Sequence, residues 1–549
     1  ALAFKARAEK ALRGLYHENV PQDSISVVLL GRPYTVLSPA LNKGIVSMFE
    51  ALGVRTFFQD MVPTGRAMSA QLESLLKEVP WKYGAAVLKA ADTAAQTPGL
   101  YPVFVTSFRC TPDAFVLECF RMLMHSCRKP YLVLQLDGHD TTAGYETRIE
   151  AAVRSFRNHY RTSVKTEEPS LPDIIPESRL TRATVFVPDW DSLSCRLLAA
   201  NLRREGVDAR LLEQSEKSLR EGLSYNTCQC IPITILAQEY IDAIKKNDLD
   251  PADCALWIPK GEIACNLKVI PHHIKNVLNT HGKGMERAQV FNGDLAMRDF
   301  SLRAATGVYF SFMFGGMMRR AACSIRPYEL VPGAADRALA EGMDLLERAF
   351  EGSGSKTEAL RLAVDMFKAI PVMRRRRPKV AIFGDLYVRD NDFMNQDLVR
   401  FLEGRGAEVV TMPYTTYAKM VLQPYLKRWL TEGKYLFALS SGTLIAVFRA
   451  MERRYLGIFE EIVPGGEPSF SDNPEHVLGR FRITTAHTGE SMDNILKVHY
   501  LLKHHPDLRL FVLTAVLGQL ISNMATALIV IPISLSAAAE LAVSPRPVL

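Results

Sequence analysis

The sequence predicts an α/β protein made of about three Rossmann-like parallel-sheet units with extra helices. One pattern occurs three times: an apolar strand, a polar loop, an amphipathic helix, a glycine and the start of another strand. This pattern is the opening unit of a parallel α/β domain. The length agrees with several such units, because 549 residues exceed what one hydrophobic core can hold.

The three copies of the pattern occupy residues 27–54, 184–207 and 380–407. The first and third copies agree in detail, and their aligned pairs are Gly31 with Gly384, Tyr34 with Tyr387, and Asn42 with Asn395. In these two copies we expect the helices to start near Leu41 and Phe393. An internal repeat of this kind predicts three domains of one general type, which we place at 1–178, 179–375 and 376–549.

The loops after the first and third repeated strands are candidate ligand sites. Parallel sheets bind ligands beyond the carboxyl ends of their strands. A glycine there either lets the backbone approach a ligand or simply permits a tight turn, and the sequence leaves both interpretations open. The candidate cofactor-binding residues are Gly31, Arg32, Tyr34, Gly384 and Tyr387. Neither loop has the Walker A or G-x-G-x-x-G spacing, so no nucleotide motif is predicted.

Four cysteines lie where a metal ligand is expected. Cys110 separates a predicted strand from a predicted helix, Cys228 and Cys230 precede a helix, and Cys265 follows the short strand at 256–259. At such positions unpaired N–H groups and a helix dipole lower the pKa of a thiol. The spacing matches no simple zinc or ferredoxin pattern, and for any one of these cysteines alone a structural role is favoured.

Composition excludes several classes of protein. Nine cysteines are too few for a disulfide scaffold, and a net charge of +7 is small for this length. No zinc-finger spacing or aromatic-interleaved basic patch predicts nucleic-acid binding, and we expect the four arginines at 374–377 to be a solvated linker. Residues 1–10 carry charges throughout, unlike a signal peptide, so we expect a cytoplasmic location. A chain that starts without methionine is consistent with part of a longer product.

One segment near the end contains no charged residue. Residues 510–539 are long enough to span a bilayer. They also include Gln519, Ser522, Asn523 and Pro532, which suit an isolated membrane span poorly. We therefore expect a buried β–α–β piece with strands at 510–516 and 527–533, rather than a membrane segment.

Six short segments occur in a fixed order along the chain: Leu-Gly-Arg-Pro-Tyr (30–34), Ser-Phe-Arg-Cys-Thr-Pro-Asp (107–113), Leu-Asp-Gly-His-Asp (136–140), Gly-Tyr-Glu-Thr-Arg-Ile-Glu (144–150), Arg-Pro-Tyr-Glu (326–329) and Gly-Asp-Leu-Tyr-Val-Arg (384–389) with Asn395. In sequence and order these segments resemble the iron–sulfur subunits of 2-hydroxyacyl-CoA dehydratases and the related large proteins fused to their activating ATPase. The segments spread over most of the chain, up to about residue 495.

The resemblance implies a 4Fe–4S or related cluster with Cys110, Cys230 and Cys265 as ligands and Cys228 as a further candidate. It also implies that an actin-like-fold activating ATPase, separate or fused upstream, supplies electrons. In the dehydratases the electron passes to an acyl-CoA, so the chain would belong to a dehydratase-like lyase or an ATP-coupled reductase. The alternative is a cluster-free α/β binding or scaffolding module. The absence of cysteines after Cys323 favours this alternative.

Overall fold

A computed structural model provides the structure of the protein. The described residues are 2–21, 23–63, 70–79, 81–106, 111–136, 142–162, 182–225, 231–259, 268–293, 301–384, 386–415, 429–463, 474–480, 490–504 and 508–513. The chain forms two compact units: the first comprises Ala1–Ile174, Arg220–Ala237 and Ala264–Glu286, and the second comprises Ile175–Leu219, Gln238–Ile263 and Arg287–Leu549. Among the described residues the strands form three parallel sheets, which confirms the predicted α/β class with Rossmann-like units.

The first unit contains a four-stranded sheet in the order β2-β1-β3-β4. Its strands are β1 (Ser26–Gly31), β2 (Arg55–Phe58), β3 (Leu100–Thr106) and β4 (Leu132–Gln135). The helices that precede or connect these strands are α1 (Leu2–Asn19), α2 (Pro33–Leu37), α3 (Ile45–Ala51), α4 (Ala70–Glu78), α5 (Lys82–Gln96), α6 (Thr111–Ser126) and α7 (Ala143–Arg161). Every residue of β1 and β3 is buried, as expected where helices cover both faces of a parallel sheet.

Alternate residues of β3 show which helices cover which face. Tyr101 stacks on Phe156 of α7, with ring centroids 4.5 Å apart. Phe104 points to the opposite face, where its ring lies 5.5 Å from that of Phe120 on α6. Because side chains alternate along a strand, α6 and α7 lie on opposite sides of the sheet.

The second unit contains the other two sheets. The four-stranded sheet has the order β6-β5-β7-β8, with β5 (Thr184–Val187), β6 (Asp208–Leu211), β7 (Cys254–Ile258) and β8 (Gln289–Asn292). The three-stranded sheet has the order β10-β9-β11, with β9 (Lys379–Phe383), β10 (Glu408–Val410) and β11 (Leu508–Leu513). The three described sheets fall one in each predicted domain, although the domain boundaries themselves stay a prediction.

The remaining helices complete the second unit and the added parts of the first. They are α8 (Ser192–Arg204), α9 (Glu216–Ser224), α10 (Ile231–Lys246), α11 (Ile270–His281), α12 (Leu302–Ile325), α13 (Ala334–Glu351), α14 (Lys356–Lys368), α15 (Leu386–Arg389), α16 (Leu398–Gly404), α17 (Tyr435–Phe459), α18 (Pro474–Gly479) and α19 (Glu490–His504). The 24-residue α12 packs closely on α8, because a Cβ added at Gly315 would overlap the backbone of Ser194.

The elements that open the first sheet recur in the three-stranded sheet. β9, α15, α16 and β10 begin 353 residues after β1, α2, α3 and β2 (379 − 26 = 353). Gly31 and Gly384, which share this offset, have φ angles of 150° and 133°, and Lys43 and Gln396 have φ angles of 55° and 56°. The first and third copies of the sequence pattern are therefore structural repeats of one another.

Asparagine side chains hold the same turn in both repeats. Asn42 Nδ2 donates to the carbonyl oxygen of Val36 at 2.9 Å, and Asn395 Nδ2 donates to that of Arg389 at 3.1 Å. These turns delay the longer helices, so the predicted helix starts near residues 41 and 393 are each about one turn early. A short helix, α2 or α15, precedes each turn, and the sequence pattern did not predict it.

The structure describes only the beginning of the uncharged segment at 510–539. β11 ends at Leu513 and pairs with β9, which agrees with the predicted strand at its start. Residues 514–549, including the second predicted strand, lie outside the described residues. Within the described part of the chain, every helix is too short or too polar to span a bilayer.

The end of β1 requires glycine for two reasons. The φ of 150° at Gly31 is rare for residues with a side chain, and an added Cβ would overlap the carbonyl oxygen of Val105. We expect Gly31→Ala to lower the free energy of local opening of β1 and β3 by about 2 kcal/mol or more, measured by native-state hydrogen exchange. Gly144→Ala, at a helical position with open space around it, is the control and should change this energy by less than about 1 kcal/mol.

Candidate functional site

The first candidate site lies at the carboxyl end of β1 and β3 in the first unit. β1 ends at Gly31, whose N–H donates to Gln59 Oε1 at 3.1 Å. Arg32 follows as the residue before α2, and its side chain is 11% exposed. The predicted ligand loop therefore lies at the carboxyl edge of a parallel sheet, where such sheets bind ligands.

A buried carboxylate joins this loop to the end of β3. Arg32 Nε donates to Asp113 Oδ1 at 2.7 Å, and the side chain of Asp113 is 6% exposed. Tyr83 Oη donates to the same oxygen at 3.0 Å, and Thr106 Oγ1 donates to Oδ2 at 2.9 Å. We call these four residues the Asp113 clamp. It links the end of β1, the end of β3, α5 and the first turn of α6.

Tyr34 is the exposed neighbour of the clamp. Its hydroxyl accepts a hydrogen bond from Arg32 Nη1 at 2.8 Å, and the guanidinium carbon lies 5.9 Å from its ring centroid. The side chain remains 46% exposed. Of the three predicted residues in this loop, Gly31 and Arg32 are held by the fold, while Tyr34 presents a phenol to solvent at the edge where a ligand would bind.

The Asp113 clamp includes described residues on both sides of the chain segment that carries Cys110. Thr106 is the last residue of β3 and Asp113 lies in the first turn of α6, so their hydrogen bond closes a short loop. Cys110 directly precedes α6 but lies outside the described residues, as do Cys228, Cys230 and Cys265. The structure thus fixes the two ends of the Cys110 segment, and the convergence of the four cysteines stays a prediction.

Helices α6 and α11, which follow Cys110 and Cys265 in the chain, pack together through their amino-terminal halves. Cys119 Sγ lies 3.8 Å from His273 Nε2, and the rings of Phe115 and His273 are 4.8 Å apart. Asn276 Nδ2 also donates to Glu118 Oε1 at 2.5 Å. The amino ends of the two helices are therefore on the same side of this contact.

Burial keeps the groups at this helix contact neutral. It lowers the pKa of His273 to about 3, and burial together with the charge of His273 lowers the pKa of His272 to about 4. Burial also raises the pKa of the Cys119 thiol to about 12. These groups suit a packed core better than acid–base chemistry at neutral pH, and Cys119 and Cys127 are both buried.

Residues 226–230, with Cys228 and Cys230, connect α9 to α10, and these helices also pack closely. A Cβ at Gly222 of α9 would lie 2.9 Å from the Cα of Ile235 in the first turns of α10. Tyr225 Oη and His281 Nδ1, at the end of α11, are 2.7 Å apart. α6, α11, the end of α9 and the first turns of α10 belong to the first unit, whereas β7, the described strand before Cys265, belongs to the second unit.

No metal centre is formed by described side chains. Across the described ranges, no group of three or more His, Cys, Asp or Glu residues is arranged to hold a metal ion. The free cysteines with described positions are all buried: Cys119, Cys127, Cys195, Cys254 and Cys323.

The second predicted ligand loop, in the second unit, differs from the first in its tyrosine. Gly384 directly follows β9 and has the same unusual backbone as Gly31. Tyr387 is half-buried and packs against the hydrophobic cluster around β5 and β7, whereas Tyr34 is exposed. The repeat therefore preserves the turn but gives the two tyrosines different surroundings.

A buried arginine in the second unit was not predicted from the sequence. Arg319 of α12 is 9% exposed, and its Nη2 donates to Asp191 Oδ1 at 2.9 Å and to the carbonyl oxygen of Asp390 at 2.9 Å. Its Nη1 donates to Asp392 Oδ1 at 3.1 Å. Burial acts in the opposite direction, but the nearby carboxylates raise the pKa of Arg319. This network joins the segments that follow β5 and β9.

Two further carboxyl groups beside this network hold protons near neutral pH. Burial and the charge of Asp191 raise the pKa of Asp189 to about 7, while Arg319 acts in the opposite direction. Burial and the charge of Asp189 raise the pKa of Glu239 to about 8. Glu239 is 1% exposed, its oxygens make no hydrogen bond of ordinary geometry with described residues, and the nearby side chain of Gln214 acts against the shift in its pKa. The position of Asp189, two residues after the end of β5, could have marked it as a candidate site residue. Glu239 occurs within a helix, where no sequence feature marks it.

The sequence comparisons point to one part of the chain. Residues 2–62 match the family described as CoA enzyme activase uncharacterised domain (DUF2229). This match supports a relation to acyl-CoA dehydratase activase-related proteins. The matched segment contains β1, Gly31, Arg32 and Tyr34, so it supplies one side of the Asp113 clamp. No curated protein and no solved structure matches the chain.

The Asp113 clamp should be energetically coupled because its ion pair is buried. In a double-mutant cycle of Arg32→Met and Asp113→Asn, we expect a coupling energy of roughly 2 kcal/mol for opening of β1 and β3, measured by hydrogen exchange. The matched control is the exposed pair of Arg210 and Asp208, whose coupling should stay below about 1 kcal/mol. Equal coupling energies in the two cycles would contradict the claim that the buried pair of Arg32 and Asp113 stabilises this edge of the sheet.

Glu239 should make the stability of the second unit depend on pH. Its folded pKa is raised above the ordinary value of 4.5, so the folded protein binds this proton more tightly than the unfolded chain does. The stabilisation is complete below about pH 4 and is lost as the pH rises towards 8. The change in the free energy of unfolding caused by Glu239→Gln should therefore be more stabilising at pH 8 than at pH 5. We expect these two changes to differ by roughly 2–4 kcal/mol.

Thermal unfolding of the parent and the variant at both pH values measures this effect. The control is Glu341→Gln, which replaces an exposed glutamate on α13 and should leave the difference between pH 5 and pH 8 unchanged. A Glu239→Gln protein whose stability follows the parent at both pH values would show that the carboxyl is ionised throughout.

Proposed function

We propose that this chain is an iron–sulfur component of an acyl-CoA dehydratase activation system. In this proposal Cys110, Cys228, Cys230 and Cys265 hold a 4Fe–4S or related cluster. The chain accepts electrons from an ATP-dependent activator of the actin-like fold and passes them to an acyl-CoA or similar substrate. A bound cluster would supply one-electron transfer.

One observation supports the proposal most strongly. The Asp113 clamp joins the segment that matches the CoA enzyme activase domain to the motif that contains Cys110. The two segments are distant in the sequence, since Arg32 and Asp113 are 81 residues apart, so their contact is not a consequence of chain connectivity. They meet at the carboxyl edge of a parallel sheet, which is where such folds bind ligands.

The helices that adjoin the cysteines fit thiolate ligands. α6 begins directly after Cys110 and α10 begins directly after Cys230. The first N–H groups of a helix lack partners within it, and together with the helix dipole they lower the pKa of an adjacent thiol. Four thiols are also the donor set that iron–sulfur clusters use.

The residues of the clamp have a defined part in this proposal. The buried Arg32–Asp113 pair positions the start of α6, and so the residue before it, while Tyr34 remains exposed to meet a partner or substrate. The proposal assigns Arg32 and Asp113 as positioning residues. It does not assign the residues that would act on the substrate.

The test is the metal content of the full chain purified without oxygen. We expect bound iron and sulfide with a visible absorption band, and we expect Cys110→Ser, Cys230→Ser and Cys265→Ser each to reduce the bound iron at least about threefold, because each would remove a cluster ligand. The control is Cys127→Ala, a buried cysteine of the same unit, which should keep the iron content of the parent.

Two results would contradict the proposal. One is a parent protein that binds no iron after anaerobic reconstitution with iron and sulfide, which would favour the cluster-free binding module. The other is a set of cysteine variants that all keep the full iron content, which would place the iron elsewhere. Circular dichroism of each variant separates loss of ligands from loss of fold.

A further inference from the structure

The first unit has an open cavity at the end of α6 that is remote from Cys110. Its volume is about 540 Å³, within the range of small-molecule sites, and its lining residues are Met124, His125, Arg128, Lys129, Pro130, Tyr131 and Ser155. α6 has 16 residues, so its two ends are about 24 Å apart. The cavity adjoins the amino end of β4, the opposite edge of the sheet from the Asp113 clamp.

The lining combines positive charge with hydrogen-bond donors. Arg128 is exposed and takes a left-handed backbone conformation with φ of 52°, which ends α6 and brings two basic residues into succession. His125 Nε2 and Tyr131 Oη are 2.9 Å apart at the rim, and Ser155 of α7 adds an exposed hydroxyl. Met124 and Pro130 supply the apolar part of the lining.

Lys129 is the decisive residue because its ammonium group is buried. The residue is 3% exposed, and Nζ donates to the carbonyl oxygen of Thr97 at 2.9 Å and lies 4.7 Å from the ring centroid of Tyr101. Among the residues that the structure describes, no carboxylate forms an ion pair with it. A buried cation without a counter-charge is costly to keep, and an anion in the adjoining cavity would remove that cost.

We propose that this cavity binds a small molecule through a phosphate-type oxyanion, with Arg128 as the exposed charged ligand and Lys129 as a buried positive charge beside the cavity. Arginine offers paired N–H donors that match phosphate oxygens, and lysine supplies a point charge. The apolar lining and the remaining volume leave room for an organic part of the ligand. This proposal is independent of the cluster, so binding is expected in iron-loaded and iron-free protein alike.

The pH dependence of binding follows from the surroundings of Lys129. Burial lowers the pKa of this ammonium group to about 8, and the neighbouring Cys127 opposes the shift. The other titratable groups beside it are Tyr101, whose pKa burial raises to about 12, and His159, whose pKa is lowered by burial and by Lys129. Between pH 7 and 9, Lys129 is therefore the group among these whose loss of charge would weaken anion binding.

Calorimetric titration of the full chain with phosphate, pyrophosphate, sulfate and acetate tests the proposal. We expect phosphate and pyrophosphate to bind, acetate to bind at least about tenfold more weakly, and Lys129→Met and Arg128→Gln each to weaken pyrophosphate binding about tenfold or more. Arg148→Gln, which replaces an exposed arginine on α7 outside the cavity, is the control and should bind as the parent does.

Sulfate isolates the contribution of Lys129 because its own charge does not change between pH 7 and 9. Parent affinity for sulfate should fall about tenfold over this range, while Lys129→Arg, which stays charged, should show a smaller fall. Absence of phosphate and pyrophosphate binding at millimolar concentration would overturn the proposal. Unchanged affinity in Arg128→Gln would also overturn it, and that exposed substitution remains informative if Lys129→Met does not fold.

Discussion

The carboxylate of Asp113 accepts hydrogen bonds from three elements at once. Arg32 approaches from the end of β1, Thr106 from the end of β3, and Tyr83 from α5. Since a carboxylate with a 6% exposed side chain would be strongly destabilised without such partners, the edge of the sheet and the start of α6 are tied to a single geometry. The start of α6, which directly follows Cys110 in the chain, is held by this one buried ion pair.

In the second unit, the buried group at the carboxyl ends of the strands is a cation instead of a carboxylate. There a buried arginine, Arg319, gathers carboxylate and carbonyl oxygens from the segments after β5 and β9. Asp189 and Glu239 lie beside this network with raised pKa values, so the unit keeps protonated carboxyl groups near neutral pH. In each unit a buried ion pair therefore holds the segments that follow the strands. The central group is the carboxylate of Asp113 in the first unit and the guanidinium of Arg319 in the second.

The sequence predicted the sheets well because a buried parallel strand is a short apolar run, and such runs before Gly31 and Gly384 are visible without a structure. It placed the following helices too early, because Asn42 and Asn395 hold turns through side-chain hydrogen bonds that hydrophobic periodicity does not record. Arg32 was chosen as a ligand-binding residue, but its role as the partner of Asp113 depends on a contact across 81 residues. Glu239 was missed for a similar reason, since its burial is set by tertiary packing.

The constant offset of 353 residues between the two repeats is what a duplication of one ancestral segment would produce. Every paired element of the first and third copies starts 353 residues apart, so neither copy has gained or lost a residue between its first strand and its second. The segments between the copies contain a different sheet and many helices. A duplication followed by divergence would leave such a record if turn length were selected more strictly than side-chain identity. The two left-handed glycines and the two asparagine bridges give the physical reason, because one inserted residue would disconnect the turn from its hydrogen bonds.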